Sequence, residues 1–125
     1  MVNPQINAPL YLGCSVEKVT DSRSFDTEYQ NTYSMPKLCL VSVGVNVDHD
    51  IGAAFAWISS DPTEPSDWIR IGMEHCNWYG TAAHLYGTIT FIVPPGWYYK
   101  VTSFLSIILH GWIEESLYAT TEEGG

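Results

Sequence analysis

Residues 85–99, LYGTITFIVPPGWYY, constrain the fold of this chain more than any other stretch. Residues 88–93 are β-branched or aromatic at every position, a composition that suits a half-buried strand and disfavours a helix. The Pro94-Pro95-Gly96 corner ends this strand, because proline cannot donate a ladder hydrogen bond and glycine can adopt the positive φ of a tight turn. Residues 97–101 are again typical of a strand. Two strands joined by a rigid corner predict an all-β protein.

The clearest alternation lies in residues 37–47. Five apolar side chains fall on one face of this predicted strand: Cys39, Val41, Val43, Val45 and Val47. Residues 53–59 follow after turn chemistry at residues 48–52, and we expect the two strands to pair as a hairpin.

The remaining strand patterns are shorter, and no capped 3.6-residue pattern predicts a helix. Strands are predicted at residues 15–19, 25–29, 68–73 and 105–113, the last with Leu105, Ile107, Leu109 and Ile113 on one face. We therefore predict an antiparallel β-sandwich or jelly roll of about seven or eight strands, with a barrel as the nearest alternative. Within the 125 residues we expect an extended lead-in (1–10), one β domain (11–118) and a polar tail (119–125).

Charge and apolar patterning exclude several classes of partner. Five basic and fourteen acidic residues give a net charge of −9, which repels nucleic acid and anionic membranes. No apolar run reaches the roughly 20 residues of a membrane span, and the N-terminus has no signal-peptide pattern. The acidic balance favours solubility; the alternative is that carboxylates line a sugar or cation site. Cys14, Cys39 and Cys76 are odd in number and widely spaced, which favours free thiols in a cytosol over disulfides or a cysteine zinc site.

The chain has no motif typical of an enzyme. It lacks a GxSxG elbow, and none of its many carboxylates lies in a distinctive pair, so we expect neither catalysis nor a cofactor. Asp48-His49-Asp50 resembles a metal-ligand cluster, although the same residues are good turn formers. His75 and His84 are a second possible metal pair, without an obvious third ligand.

Aromatic residues are the more unusual feature, with five Trp and eight Tyr. We expect Trp57 and Trp112 to pack within strands. The segment 74–83 is predicted to be a loop in which aromatic rings stand beside polar side chains, a combination that suits sugars or protein surfaces; the alternative is a Trp folded back over the sandwich end. The candidate ligand-binding residues are His75, Asn77, Trp78, Tyr79, Asp61, Glu64, Trp68 and His84.

An ordered set of short motifs resembles the C-terminal tip domain of bacteriophage and prophage tail fibres. The set begins with Tyr29, Asn31 and Thr32, continues through Val93-Pro94-Pro95-Gly96 with Tyr98 or Tyr99 and Val101, and closes with Trp112 and Glu114. The resemblance covers about residues 25–116. The proline-rich loop at 61–67 and the aromatic segment at 75–79 match no part of that pattern.

The resemblance implies a receptor-binding domain without enzymatic activity at the tip of a virion fibre, made in the host cytoplasm and usually homotrimeric. It implies a surface glycan, lipopolysaccharide or outer-membrane protein of the host as the receptor, with the motif residues as scaffold and the loops as the source of specificity. Two alternatives stay open. One is a free-standing lectin-like carbohydrate-binding module, and the other is a structural virion protein such as a head-decoration or fibre-joining protein.

Overall fold

A computed structural model describes the backbone of residues 10–121 and the side chains of residues 15–116. Nine strands are present in this range: β1 Leu10–Lys18, β2 Tyr29–Gln30, β3 Lys37–Gly44, β4 Ile51–Ser59, β5 Ile69–Tyr79, β6 Ala82–His84, β7 Tyr86–Val93, β8 Tyr98–Leu105 and β9 Ile108–Thr121. Two short 3-10 turns, Thr20–Ser22 and Pro65–Asp67, lie between strands. Among the described residues, no helix is long and apolar enough to cross a membrane.

The strands form two antiparallel sheets, which confirms the predicted β-sandwich. The first sheet has the order β1-β9-β3-β7 and the second the order β2-β8-β4-β5-β6. When the three-residue β6 is set aside, each sheet has four strands and the chain passes repeatedly from one sheet to the other. This is the winding of a jelly roll, with β6 added at one edge.

The core lies between the two sheets and follows the period of two along each strand. Alternate residues of β3, β7 and β8 point inward, and β4 contributes the small, fully buried Ala54 and Ala56. The fully or nearly fully buried apolar residues are Cys39, Val41, Val43, Val45, Ala54, Ala56, Cys76, Ile89, Phe91, Val93, Tyr99, Val101, Ile107 and Trp112. The predicted inward face of β3 is thus confirmed, except that Val47 lies beyond the strand and is exposed.

A buried carboxylate, Glu114, lies at the centre of a polar network in this core. Its oxygens accept hydrogen bonds from Arg23, Lys37, the Tyr99 hydroxyl and the Trp112 indole at 2.8–3.1 Å. Burial and the adjacent negative charge raise the pKa of Tyr99, so its hydroxyl stays protonated and donates to Glu114. Five hydrogen bonds from four side chains saturate the carboxylate, which leaves Glu114 a structural role.

Asn31 holds the Pro-Pro-Gly corner in place. Its buried side-chain amide donates to the carbonyl oxygens of Met35 and Val93 at 3.0 and 3.1 Å, and it lies 3.3 Å from that of Pro94. The Gly96 amide donates to the Asn31 carbonyl, and Gly96 has a φ of 81° as the turn requires. Most residues of the ordered motif set therefore meet in two adjoining buried networks.

Two predicted connections are wrong. Residues 53–59 do not form a hairpin with residues 37–47, because β3 and β4 belong to different sheets. Residues 105–113 are not one strand: β8 ends at Leu105, whose φ is 59°, and β9 begins at Ile108. Of the predicted inward face there, Ile107 is buried and Leu109 half-buried, whereas Leu105 and Ile113 are exposed.

The predicted loop at residues 74–83 is also wrong. Its first part continues β5 to Tyr79 and its last part begins β6, with a turn at Gly80 between them. At the termini, residues 1–9 of the predicted lead-in and residues 122–125 of the predicted tail lie outside the described range. β9 continues to Thr121, so this strand extends into the segment expected to be a tail.

Candidate functional site

A cleft lies on the outer face of the second sheet, beneath the loop that joins β4 to β5. We call it the tryptophan cleft; its volume is about 380 Å³, and it is lined by Glu28, Trp57, Pro62, Thr63, Glu64, Pro65, Trp68, Lys100 and Thr102. This volume lies within the range of small-molecule sites, roughly 300–1,000 Å³. In the cleft, two indole rings, two carboxylates and an ammonium group come together.

The floor of the cleft is made by neighbouring positions on β4 and β8. Trp57 pairs with Lys100 across the two strands, and Thr102 is two residues further along β8. Because Ala54 and Ala56 point into the core, Trp57 must point outward. Its indole Nε1 donates to the Thr102 hydroxyl at 2.9 Å, which fixes the orientation of the ring.

The wall of the cleft is a loop that is stabilised by its own hydrogen bonds. Asp67 Oδ2 accepts from the Glu64 amide at 2.8 Å and from the Thr63 hydroxyl at 3.0 Å, and the Asp67 amide donates back to the Glu64 carbonyl. Two prolines, Pro62 and Pro65, further restrict this backbone. The loop therefore holds Trp68 in position before any ligand arrives.

The charges of the cleft are mixed. The Lys100 ammonium lies 4.2 Å from the centre of the Trp68 ring, a cation–π contact. Glu28, from the segment before β2, and Glu64, from the loop, both line the cleft and are exposed. The cleft thus offers two carboxylates and one ammonium group around two indole rings. Such rings stack on the apolar faces of sugars, while carboxylates and ammonium groups bind hydroxyls.

The sequence-predicted site residues fall at two separate places. Glu64 and Trp68 line the tryptophan cleft; Asp61 belongs to the same loop but does not line the cleft. His75, Asn77, Trp78, Tyr79 and His84 lie in the β5–β6 hairpin. Trp68 directly precedes β5 and Trp78 is ten positions further along the chain, about 33 Å at roughly 3.3 Å per residue. One small ligand cannot contact both groups, so the candidate residues lie on two separate surfaces.

The hairpin end is held by its own contacts. Trp78 is half-buried and packs against the core, and its indole donates to the Gly80 carbonyl at 3.1 Å. Asp48 accepts from the Gly80 amide and lies 3.5 Å from the His49 ring nitrogen. The segment Asp48-His49-Asp50 therefore braces the hairpin, and it does not form a three-ligand cluster among the described residues. Tyr79 remains half-exposed there.

Trp57 is a cleft residue that the sequence interpretation missed although a signal for it was present. It was expected to pack within its strand, as Trp112 does, yet it is only half-buried and faces the cleft. A signal was present in the sequence, because the alternation Ala54-Phe55-Ala56-Trp57 places small residues on one face and large aromatic residues on the other. Glu28, Lys100 and Thr102 carry no comparable signal, since their proximity depends on the pairing of β2, β8 and β4.

The two described cysteines are free thiols, as the sequence predicted. Cys39 and Cys76 are both buried, and burial raises the pKa of each thiol. No protein-family model, curated protein or solved structure matches this chain.

Proposed function

We propose that this chain is a receptor-binding tip domain of a phage tail fibre and that it binds a host surface glycan through the tryptophan cleft. The observation that carries the proposal is the pairing of two positioned indole rings with two carboxylates and one ammonium group in a cleft of about 380 Å³. In this proposal the domain binds its receptor without cleaving it and acts at the tip of the virion fibre.

The charges of the cleft favour a neutral saccharide over a phosphorylated one. Glu28 and Glu64 outnumber Lys100, and the whole chain carries a net charge of −9. Phosphate groups would be repelled by both the local and the overall charge. The polysaccharide portion of lipopolysaccharide therefore fits the cleft better than its phosphorylated inner region.

The positions of the motif residues support the resemblance to tail-fibre tips. Tyr29 packs against Tyr99 and Trp112 in the core, and Glu114 and Asn31 organise the two buried networks. These residues form a scaffold, while the cleft wall comes from a loop that matches no part of the shared pattern. A constant scaffold with a variable loop is the arrangement expected of a domain whose receptor varies.

A homotrimer is part of the same proposal. Among the described strands, β7 has a neighbour only on its β3 side, and β6 covers only the last three residues of β5. Between these two sheet edges lies an apolar surface groove lined by Leu38, Ile58, Ile71, Thr90, Phe91 and Ile92. Open apolar edges favour self-association, and three copies would raise a weak affinity for each glycan through avidity.

Light scattering tests the trimer. The mass in solution should be about 42 kDa, three times the 14.0 kDa chain; a strict monomer would favour the free-standing lectin.

The experiment that tests the function compares two aromatic substitutions at opposite ends of β5. We expect the purified domain to bind a subset of bacterial polysaccharides on an array, and Trp68→Ala to lower that affinity at least about 10-fold. Tyr79→Ala, the matched control on the exposed hairpin, should bind as the wild type does. If Tyr79→Ala weakens binding and Trp68→Ala does not, the glycan binds at the hairpin and not in the tryptophan cleft. Absence of binding to every glycan on the array would favour a structural virion protein. Release of reducing sugar from a bound polysaccharide would contradict the proposal that the domain binds its receptor without hydrolysing it.

A further inference from the structure

A three-residue cluster at the hairpin end of the domain offers one oxygen, one sulfur and one nitrogen donor. Glu74 and Cys76 are two residues apart on β5 and share its inward face, and His84 ends β6. A carboxylate oxygen, the Cys76 Sγ and an imidazole nitrogen all lie within 4.8 Å of one another. From this geometry we propose that Glu74, Cys76 and His84 form a binding site for a zinc-class divalent cation.

The chemistry of the donors selects the class of metal. Calcium and magnesium prefer sites made of oxygen alone, whereas thiolate and imidazole together are ligands of zinc and of its late first-row neighbours. In a tetrahedral zinc site the sulfur and nitrogen ligands stand about 3.5 Å apart. The longest separation must therefore shorten by about 1.3 Å at most, while the close Glu74–His84 pair must open slightly. His84 is 56% exposed, so its side chain is free to make both movements.

The surroundings fix two of the ligands and leave a path for the ion. Cys76 is fully buried at the base of the cluster. The Glu74 side chain packs on the backbone of Gly87, where any Cβ would overlap its carboxyl group. His84 Nε2 and Glu74 Oε1 are 2.7 Å apart, so the two outer ligands already face each other. Three protein ligands leave a fourth position on the solvent side for water.

A bound cation would tie the two strands of the β5–β6 hairpin together, close to the point where the chain leaves for β7. His84 stands two residues ahead of the start of β7, which lies in the other sheet. The site thus holds the hairpin on the inward face of β5, whereas the tryptophan cleft lies on the outer face of the same sheet. It requires no particular function of that cleft.

The test is a cobalt titration of tag-free, full-length protein that has been treated with EDTA and kept reduced. We expect one Co²⁺ per chain, a thiolate-to-cobalt charge-transfer band in the near ultraviolet, and displacement by Zn²⁺ in the presence of excess Mg²⁺. A saturating concentration of Zn²⁺, about 100 times Kd, should raise Tm by about 5 to 10 °C.

Three variants decide between this site and adventitious binding to an acidic surface. Cys76→Ala should remove the charge-transfer band, and His84→Gln should weaken Co²⁺ binding at least about 10-fold. His75→Gln, an exposed position next to Cys76 on the opposite face of β5, should bind as the wild type does. If Cys76→Ala fails to fold, the exposed His84→Gln variant still tests whether Co²⁺ binds at this cluster. Absence of the band, or equal affinity in His84→Gln and His75→Gln, would overturn the proposal.

Discussion

Arg23 and Glu114, 91 residues apart in the sequence, form a bidentate ion pair, with Nε to Oε2 at 2.9 Å and Nη2 to Oε1 at 3.0 Å. The Lys37 ammonium lies 3.0 Å from the same Oε1. One carboxylate therefore compensates two cations of which little surface reaches solvent. Because charges are costly to bury without a partner, stability depends on the Glu114 charge more than on either cation alone.

Replacing Glu114 tests this dependence directly. Glu114→Gln keeps the size of the side chain but leaves Arg23 and Lys37 without a counter-charge. We expect the free energy of unfolding to fall by about 3 to 5 kcal/mol, measured by urea denaturation. Glu17→Gln, an exposed carboxyl on β1 opposite Glu114, is the control and should change stability by less than about 0.5 kcal/mol. Equal effects in the two variants would contradict the central role of Glu114.

The same carboxyl makes stability depend on pH. Burial alone would raise the pKa of Glu114, but hydrogen bonds from Arg23, Tyr99 and Lys37 outweigh burial and hold the pKa below its usual value of 4.5. The stabilisation is therefore complete above the unfolded-state pKa and is lost as the pH falls through the lower folded-state pKa. We expect the wild-type urea midpoint to fall more steeply between about pH 5 and pH 3 than that of Glu114→Gln. Parallel curves would show that Glu114 does not titrate in this way.

Asn31 and Gln30 are adjacent residues that both contact the Pro-Pro-Gly corner, but the Asn31 side chain is buried and the Gln30 side chain is exposed. The Asn31 amide is buried and serves the carbonyls of Met35 and Val93, whereas exposed Gln30 donates to the Gly96 carbonyl at 3.0 Å. We expect Asn31→Ala to cost about 3 kcal/mol of unfolding free energy, because it leaves buried acceptors unpaired. Gln30→Ala should cost less than about 1 kcal/mol, since water replaces its bond. Calorimetry of the two variants measures the difference, and similar Tm values would contradict it.

Asp67 is expected to control the wall of the tryptophan cleft. Asp67→Ala removes the acceptor for the Glu64 amide and the Thr63 hydroxyl. It should cost only about 1 kcal/mol of stability, as loss of a cap does, yet speed amide hydrogen exchange in residues 62–68. Glycan affinity should fall with it, because Trp68 is no longer held in place. Asp61→Ala, in the same loop, is the control and should leave amide exchange in residues 62–68 unchanged. Equally fast exchange in the Asp61→Ala variant would show that the Asp67 contacts are not what orders the loop.

The sequence predicted individual strands better than their partners. The alternation of β3 was readable because its inward side is apolar at Cys39, Val41, Val43 and Val45. The false hairpin arose because turn residues at 48–50 look alike whether the next strand joins the same sheet or crosses to the other one. The break after Leu105 gave no warning, since a leucine with a φ of 59° replaces the usual glycine.

The candidate site was predicted in part for a similar reason. Glu64 lies within a proline-rich polar loop and Trp68 directly follows it, and local chemistry identifies such a loop. Glu28 and Lys100 could not be found, because β2 and β8 come together only through long-range pairing. The hairpin residues His75 and Asn77 were mistaken for a loop because polar side chains on the outer face hid the strand alternation.

The hydrogen bonds of Asp67 described above close within the loop itself, and this separates two properties of the domain. Changes to residues 61–66 leave the Glu114 and Asn31 networks untouched, as these lie in the core and at the Pro-Pro-Gly corner. The loop that forms the cleft wall can therefore change in sequence without altering the contacts that hold the two sheets together. New loop sequences that keep an acidic residue at position 67 should be accepted without loss of the fold and, under the proposed function, should change which glycan the domain binds.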